Sequence, residues 1–307
     1  MNTPACPTGY SHPLYAASLA GFGTPVPLPR SGGWILRRGV RGEDLGDATG
    51  CYPLFSCPNW PGLASDLEEL GDDLVSLAVV ADPFGEYDLA YLRRCFPDRV
   101  LPFKEHYVID LASSALDSIC RHHRRYIRAS LGKVRVELCV PPEDQAETWC
   151  GLYQDFVAKR QVKGIRAFSP HAFSVQLRTP GIVMFRALAG DRVVGAHLWY
   201  AQGEVCHSHL TVCSDEGRRL RAAFALHWSA VEHFQGRFKW LNLGGGAGIR
   251  PSRDDGLVRF KRGWSGMTRM AYFCGRILNR RKYEALVGAR AGNDTDYFPG
   301  YRVGEFA

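Results

Sequence analysis

No stretch of this sequence approaches the roughly 18 to 20 consecutive apolar residues that a membrane-spanning helix needs. Its start, Met1-Asn2-Thr3-Pro4, also lacks a basic segment leading into an apolar one. A cytoplasmic location is the expectation. The ten cysteines contain no CxxC pair; they lie scattered at 6, 51, 57, 95, 120, 139, 150, 206, 213 and 274. That spacing supports neither a disulfide framework nor a zinc knuckle, and reduced thiols are expected. Four potential ligands do crowd into Cys206-His207-Ser208-His209-Leu210-Thr211-Val212-Cys213. Strand alternation would turn His207, His209 and Thr211 to one face and Cys206 to the other, so no single tetrahedral ion collects them and no metal is expected.

Acidic residues are scarce in the later part of the chain. Residues 1 to 100 carry a net charge of −5 and the remainder +12. From 118 to 136 the chain holds Arg121, Arg124, Arg125, Arg128, Lys133 and Arg135 with no acid, and basic residues recur from Arg259 to Lys282. Each run reads either as a solvated helix face or as a surface for a polyanion such as RNA, a nucleotide or coenzyme A, with Arg124, Arg125 and Arg128 the candidate nucleic-acid contacts.

What is present is a large core: 307 residues with 46% hydrophobic content suffice for one big domain or two medium ones. Strand and helix alternate through the first half. A strand lies near Trp34-Ile35-Leu36, Ser65 or Asp66 would cap a helix through Leu70, and Leu74 to Val80 is a buried strand. Tyr107 to Leu111 forms another strand, and Ser113 or Ser114 would cap a basic helix that Gly132 ends. In the second half a strand at 134–140 and helices in 141–160 and 169–177 lead into a meander, 182–188, 193–200 and 204–213, followed by a helix from Arg218 to Phe234 and a strand from Phe238 to Leu243.

That last strand opens into Gly244-Gly245-Gly246, and Phe260-Lys261-Arg262-Gly263-Trp264 follows shortly after. Glycines let a backbone approach a ligand closely and the basic segment returns charge to the same place, the combination expected of an anion site.

Three meandering strands, a helix and a parallel strand follow the order of the GNAT acyltransferase core, and the residues resemble its Fem-like branch. The resemblance rests on the basic helix His122-His123-Arg124-Arg125-Tyr126-Ile127-Arg128-Ala129, on Gly244-Gly245, on Gly256-Leu257 and on the FKRGW segment. It implies an α/β (α+β) fold, a GNAT-like mixed sheet flanked by helices. Residues 1–103 would be a reduced N-terminal GNAT-like half, and residues 104–307 a GNAT-like acyltransferase domain with a docked tail. The activity implied is amide formation, an acyl or aminoacyl group passing to a primary amine.

Coenzyme A-using relatives hold the pyrophosphate on an R/Q-x-x-G-x-G/A turn, where this chain reads Arg218-Arg219-Leu220-Arg221-Ala222-Ala223. With arginine in place of the first glycine, the Fem-like donor, aminoacyl-tRNA, is preferred over acyl-CoA, and no tightly bound cofactor is expected. A catalytically inactive RNA- or partner-binding scaffold is the third reading. Within the resemblance, His209 is the first candidate base, with His207 beside it and His197 a weaker choice; each reads equally as a sheet histidine. Asn242 either binds acyl or acceptor groups or shapes a turn. Arg218, Arg221, Lys261, Arg262, Gly244 and Gly245 are assigned to donor phosphates, Lys261 without proton transfer because nothing in the sequence lowers its pKa.

Overall fold

The computed structural model describes residues 6–40, 42–113, 115–248, 255–288 and 297–305. These divide into two compact units. One comprises Tyr10–Phe103, Lys163–Phe168 and Ala271–Ala307, the other Met1–Gly9, Lys104–Val162 and Ser169–Met270, in each case the described residues of those ranges.

The first unit contains α1 (Pro13–Ser18), β1 (Thr24–Leu28), β2 (Gly33–Gly39), β3 (Gly46–Gly50), α2 (Leu63–Glu69), β4 (Leu74–Val80) and α3 (Leu89–Cys95). Strand β4 is apolar along nearly its whole length because both its faces are covered. Asp66 does not cap α2 but sits inside it, where its carboxylate accepts the backbone N–H groups of Arg30 at 2.9 Å and Ser31 at 2.7 Å.

The chain then runs through β5 (Arg99–Asp110) into the second unit. There follow α4 (Ala115–Ser118), α5 (Arg121–Leu131), β6 (Arg135–Cys139), α6 (Ala146–Arg160), α7 (Pro170–Gln176), β7 (Ile182–Ala189), β8 (Arg192–Gln202), β9 (Val205–Cys213), α8 (Asp215–Leu220), α9 (Ala222–Phe234), β10 (Trp240–Gly244) and α10 (Gly256–Arg262). Its strands lie in the order β5-β10-β9-β8-β7-β6. All neighbours are antiparallel except β9 and β10, which the α8–α9 crossover makes parallel. Helix α9 buries Ala222, Ala225, Leu226, Ala230, Val231 and Phe234 against one face of this sheet. Trp149 and Tyr153 of α6 pack on Phe173 of α7, with ring centroids 5.5 and 4.6 Å apart.

Three expectations change. The helix foreseen from Arg218 to Phe234 is two helices, because Arg221 takes the left-handed conformation (φ 62°) between α8 and α9. The basic helix α5 starts later than expected, with Cys120 at its N-cap; Ser113 bonds to Asp110 O instead, and Ser114 lies outside the described residues. Finally, β11 (Thr268–Ile277) pairs antiparallel with β4, and α11 (Arg280–Gly288) follows it, so residues from 271 onward join the first unit rather than a domain spanning 104–307.

The end of the chain is held there by charge. Asp47, fully buried, accepts Arg302 Nε at 2.5 Å, Arg302 Nη2 at 2.8 Å and the Tyr301 hydroxyl at 3.0 Å, with Arg38 Nε 3.4 Å away. Removing one member of a buried pair leaves the other charge uncompensated. Asp47→Ala is therefore expected to destabilise the first unit by about 3 kcal/mol in urea unfolding; a loss below about 1 kcal/mol, the level of an exposed pair, would show that the tail contributes nothing.

Candidate active site

Asn242 is the last residue of β10 that pairs with β9. It lies opposite Val108 of β5 on one side and His207 of β9 on the other. The Gly244 N–H donates to Asn242 Oδ1 at 2.9 Å, and since a backbone amide can only donate, this bond fixes which way the side-chain amide points. Asn242 Nδ2 then donates to His207 Nδ1 at 3.1 Å, while Oδ1 accepts from His106 Nδ1 at 3.1 Å. It follows that His207 carries its proton on Nε2 and His106 on Nδ1. Burial first, and the Lys261 charge next, lower the His106 pKa to about 3.

Beyond this pair β9 and β10 part. Strand β10 ends at Gly244, whose φ of 75° suits glycine and where a Cβ would stand 3.2 Å from Lys261 Nζ. Lys261 Nζ donates to Gly245 O at 2.6 Å and Lys104 Nζ to Gly246 O at 3.0 Å, so two ammonium groups close on one glycine turn. Asp255, the N-cap of α10, ties the far end of that turn by accepting Ala247 N–H at 2.8 Å and Leu257 N–H at 2.9 Å.

This arrangement supplies a cause, absent from the sequence, for a lowered Lys261 pKa. Burial, and then the neighbouring Lys104 charge, lower its pKa to about 7, with Asp255 pulling the other way. Lys261 is thereby far more readily deprotonated than an ordinary solvated lysine. The cause is tertiary, since Lys104 and Lys261 are far apart in sequence. Arg262, the next residue, is exposed.

His209 occupies a bulge. Leu198 pairs with Leu210 and Trp199 with Ser208, leaving His209 as the extra residue of β9. Its Nε2 lies 3.3 Å from Gln176 Oε1 and its ring 5.1 Å from that of Tyr200, and burial lowers its pKa to about 3. The bulge also breaks the expected alternation, because Thr211 now pairs with His197 and shares its face. His197 Nε2 lies 2.8 Å from Ser208 Oγ and its ring 4.3 Å from His227 of α9, so it belongs to the helix-covered side of the sheet. Cys206 is buried in the core there, and among the described residues no three His, Cys, Asp or Glu side chains gather as a metal-ligand set.

A second cluster forms where α5 meets the start of α9. Buried His123, Ile127 and Ser130 face inward, while Arg121, His122, Arg124, Arg125 and Arg128 line an open depression. Arg221 stacks its guanidinium 3.5 Å above the Tyr126 ring, and its carbonyl accepts the Ser130 hydroxyl at 2.9 Å, contacts that hold its left-handed backbone. Arg218 is tied to the Asp215 carboxylate and to Cys213 O.

His106 and Lys104 were missed by the sequence reading. The strand was started at Tyr107, and extending its alternation back through Val108 would have put His106 on the face of Asn242.

Residues 114–262 match the family described as acetyltransferase (GNAT) domain. The fold is similar to that of FemX, 13% identical, over 92% of this chain and 96% of that one, with a TM-score of 0.66. It is likewise similar to the C-terminal domain of a putative lysylphosphatidylglycerol synthetase from Agrobacterium fabrum (14%, 87% and 88%, 0.58) and to L-PGS from Bacillus licheniformis (12%, 89% and 94%, 0.54). No curated protein matches the sequence. Residues 114–262 thus match a GNAT acetyltransferase domain, within a mixed α/β fold similar to that of FemX. No helix among the described residues is long and apolar enough to cross a membrane.

His106, His209 and His227 all have folded pKa values near 3, well below the 6.5 of the unfolded chain. The unfolded state therefore binds more protons between those values, so stability is complete above about pH 6.5 and falls as the solution is acidified toward pH 3. Each imidazole adds about 1.4 kcal/mol per pH unit to the slope within that window. Chemical denaturation at a series of pH values checks this; a flat profile from pH 6.5 to 4.5 would show that these imidazoles are not buried as described.

Proposed function

We propose that this protein forms an amide by moving an aminoacyl group from the ester of a charged tRNA to a primary amine, with Lys261 as the proton acceptor. The observation that carries the donor is the start of α9. Where coenzyme A-using GNAT proteins place a glycine turn, Arg221 stands with its side chain packed on Tyr126, joined to the arginine face of α5. Such a surface suits a backbone of many phosphates better than one pyrophosphate. The acceptor, a primary amine, is small or peptidic, and the reaction takes place in the cytoplasm.

In this reading the acyl carbonyl lies where β9 and β10 part, and the acceptor amine attacks it. The tetrahedral oxyanion takes hydrogen bonds from strand N–H groups exposed by the parting. Neutral Lys261, anchored on Gly245 O, accepts the proton of the attacking nitrogen and returns it to the tRNA ribose oxygen, which departs as a hydroxyl while the amide forms. Asn242, locked by Gly244, keeps His207 and His106 in single tautomers and so fixes which ring nitrogen of each donates and which accepts. His209, with a pKa of about 3, is too weak a base for this step, and the role first expected of it passes to Lys261.

Two measurements test the proposal. Charged tRNA, uncharged tRNA and acetyl-CoA are titrated separately over a range of salt; with Arg121, Arg124, Arg125, Arg128 and Arg221 engaged, log K should fall against log salt with a slope of about −4. Tight acetyl-CoA binding with no response to charged tRNA would overturn the donor assignment. For the base, kcat/KM should rise with pH through an inflection near 7, because only the deprotonated amine accepts a proton. Lys261→Met should lose about 10²- to 10⁴-fold in kcat and Lys261→Arg should retain binding without the inflection; an unchanged profile in either variant would remove Lys261 from catalysis.

A further inference from the structure

Cys120 is an exposed thiol at the N-cap of the 11-residue helix α5. Its Sγ lies 3.4 Å from Nδ1 of His123, a residue that is itself only 6% exposed. On the other side of the ring, His123 Nε2 stands 2.8 Å from Phe260 O. A carbonyl only accepts, so the imidazole proton is on Nε2 and the Nδ1 lone pair faces the thiol. Nucleophile, base and orienting acceptor thus follow one another in the order that activates a thiol.

The ring is held in that attitude. Gly263 packs flat against it, where a Cβ would come within 2.1 Å of the imidazole, and the Phe224 and Trp264 rings enclose it at 4.9 and 5.8 Å. Burial lowers the His123 pKa, so the imidazole is neutral and its Nδ1 lone pair stays directed at the thiol.

An independent feature indicates the ligand. The depression lined by Arg121, His122, Arg124, Arg125 and Arg128 begins at the residue after the exposed Cys120, so its charge draws anionic molecules to the neighbourhood of the thiol. We propose that Cys120 is a modification site that undergoes thiol–disulfide exchange with small anionic disulfides. The Cys120 sulfur attacks one sulfur of the disulfide, a new Sγ–S bond forms as the ligand's S–S bond breaks, and the thiol proton passes to His123 Nδ1 and from there to the released thiolate. The disulfide is the only oxidant required.

The test uses the full chain carrying Cys6→Ser, which removes the other exposed cysteine among the described residues. Reaction with the dianionic dithiobis(nitrobenzoate) is compared with that of the uncharged dithiodipyridine, and the modified residue is located by peptide mass mapping. Cys120 should react first with both probes. Arg124→Ser should slow the dianionic probe about tenfold at low salt while changing the uncharged probe less than about twofold. His123→Gln, checked for folding by circular dichroism, should slow both about tenfold. If it does not fold, the Arg124→Ser comparison decides alone. Cys120 reacting no faster than a cysteine in an unfolded peptide, or modification mapping elsewhere, would overturn the proposal.

Discussion

The parting of β9 and β10 after the Asn242–His207 pair is the constraint on which the site depends. The two parallel strands stop pairing there, and β10 runs into a glycine turn at Gly244, whose left-handed backbone and closeness to Lys261 Nζ both suit glycine. Asn242 stands at the last common register, and the N–H of Gly244, just past it, settles the orientation of its amide. From that single bond follow the tautomers of His106 and His207. The same turn offers Gly245 O and Gly246 O to Lys261 and Lys104, and the nearness of those ammonium groups in a dry place frees the lysine amine.

Charge organises the remainder of this unit. Helix α5 turns His123 and Ile127 inward and arginines outward, so one element both supports the FKRGW segment and supplies the arginine-lined depression. Arg221 links that surface to the crossover helix at a backbone position where glycine would be the ordinary choice. The energetic cost of the left-handed residue, about 1 kcal/mol, is offset by the Tyr126 and Ser130 contacts.

Much of this was legible before any coordinates. The meander, the crossover and the parallel strand follow from hydrophobic periodicity and turn residues, and the glycine run and the FKRGW segment already pointed to the place where Lys261 meets Gly245. What could not be read is local backbone irregularity and long-range approach. One extra residue at His209 reverses the facing of Thr211, and nothing in a strand-like run of residues announces such a bulge. The break at Arg221 was hidden in a helix-forming stretch. The lowered pKa of Lys261 depends on Lys104, which arrives from a strand whose start was placed too late. The return of β11 and the tail to the first unit rests on pairing with β4 and on buried Asp47, neither of which has a local signature.

The most direct measurement is the titration of the Lys261 side chain by heteronuclear NMR on isotopically labelled protein, with its resonance assigned through Lys261→Arg. A midpoint near 7 would confirm a neutral amine held over the glycine turn, as the proposed chemistry requires. A midpoint near 10.4, that of an ordinary solvated lysine, would contradict the central claim and return Lys261 to the role of a fixed cation.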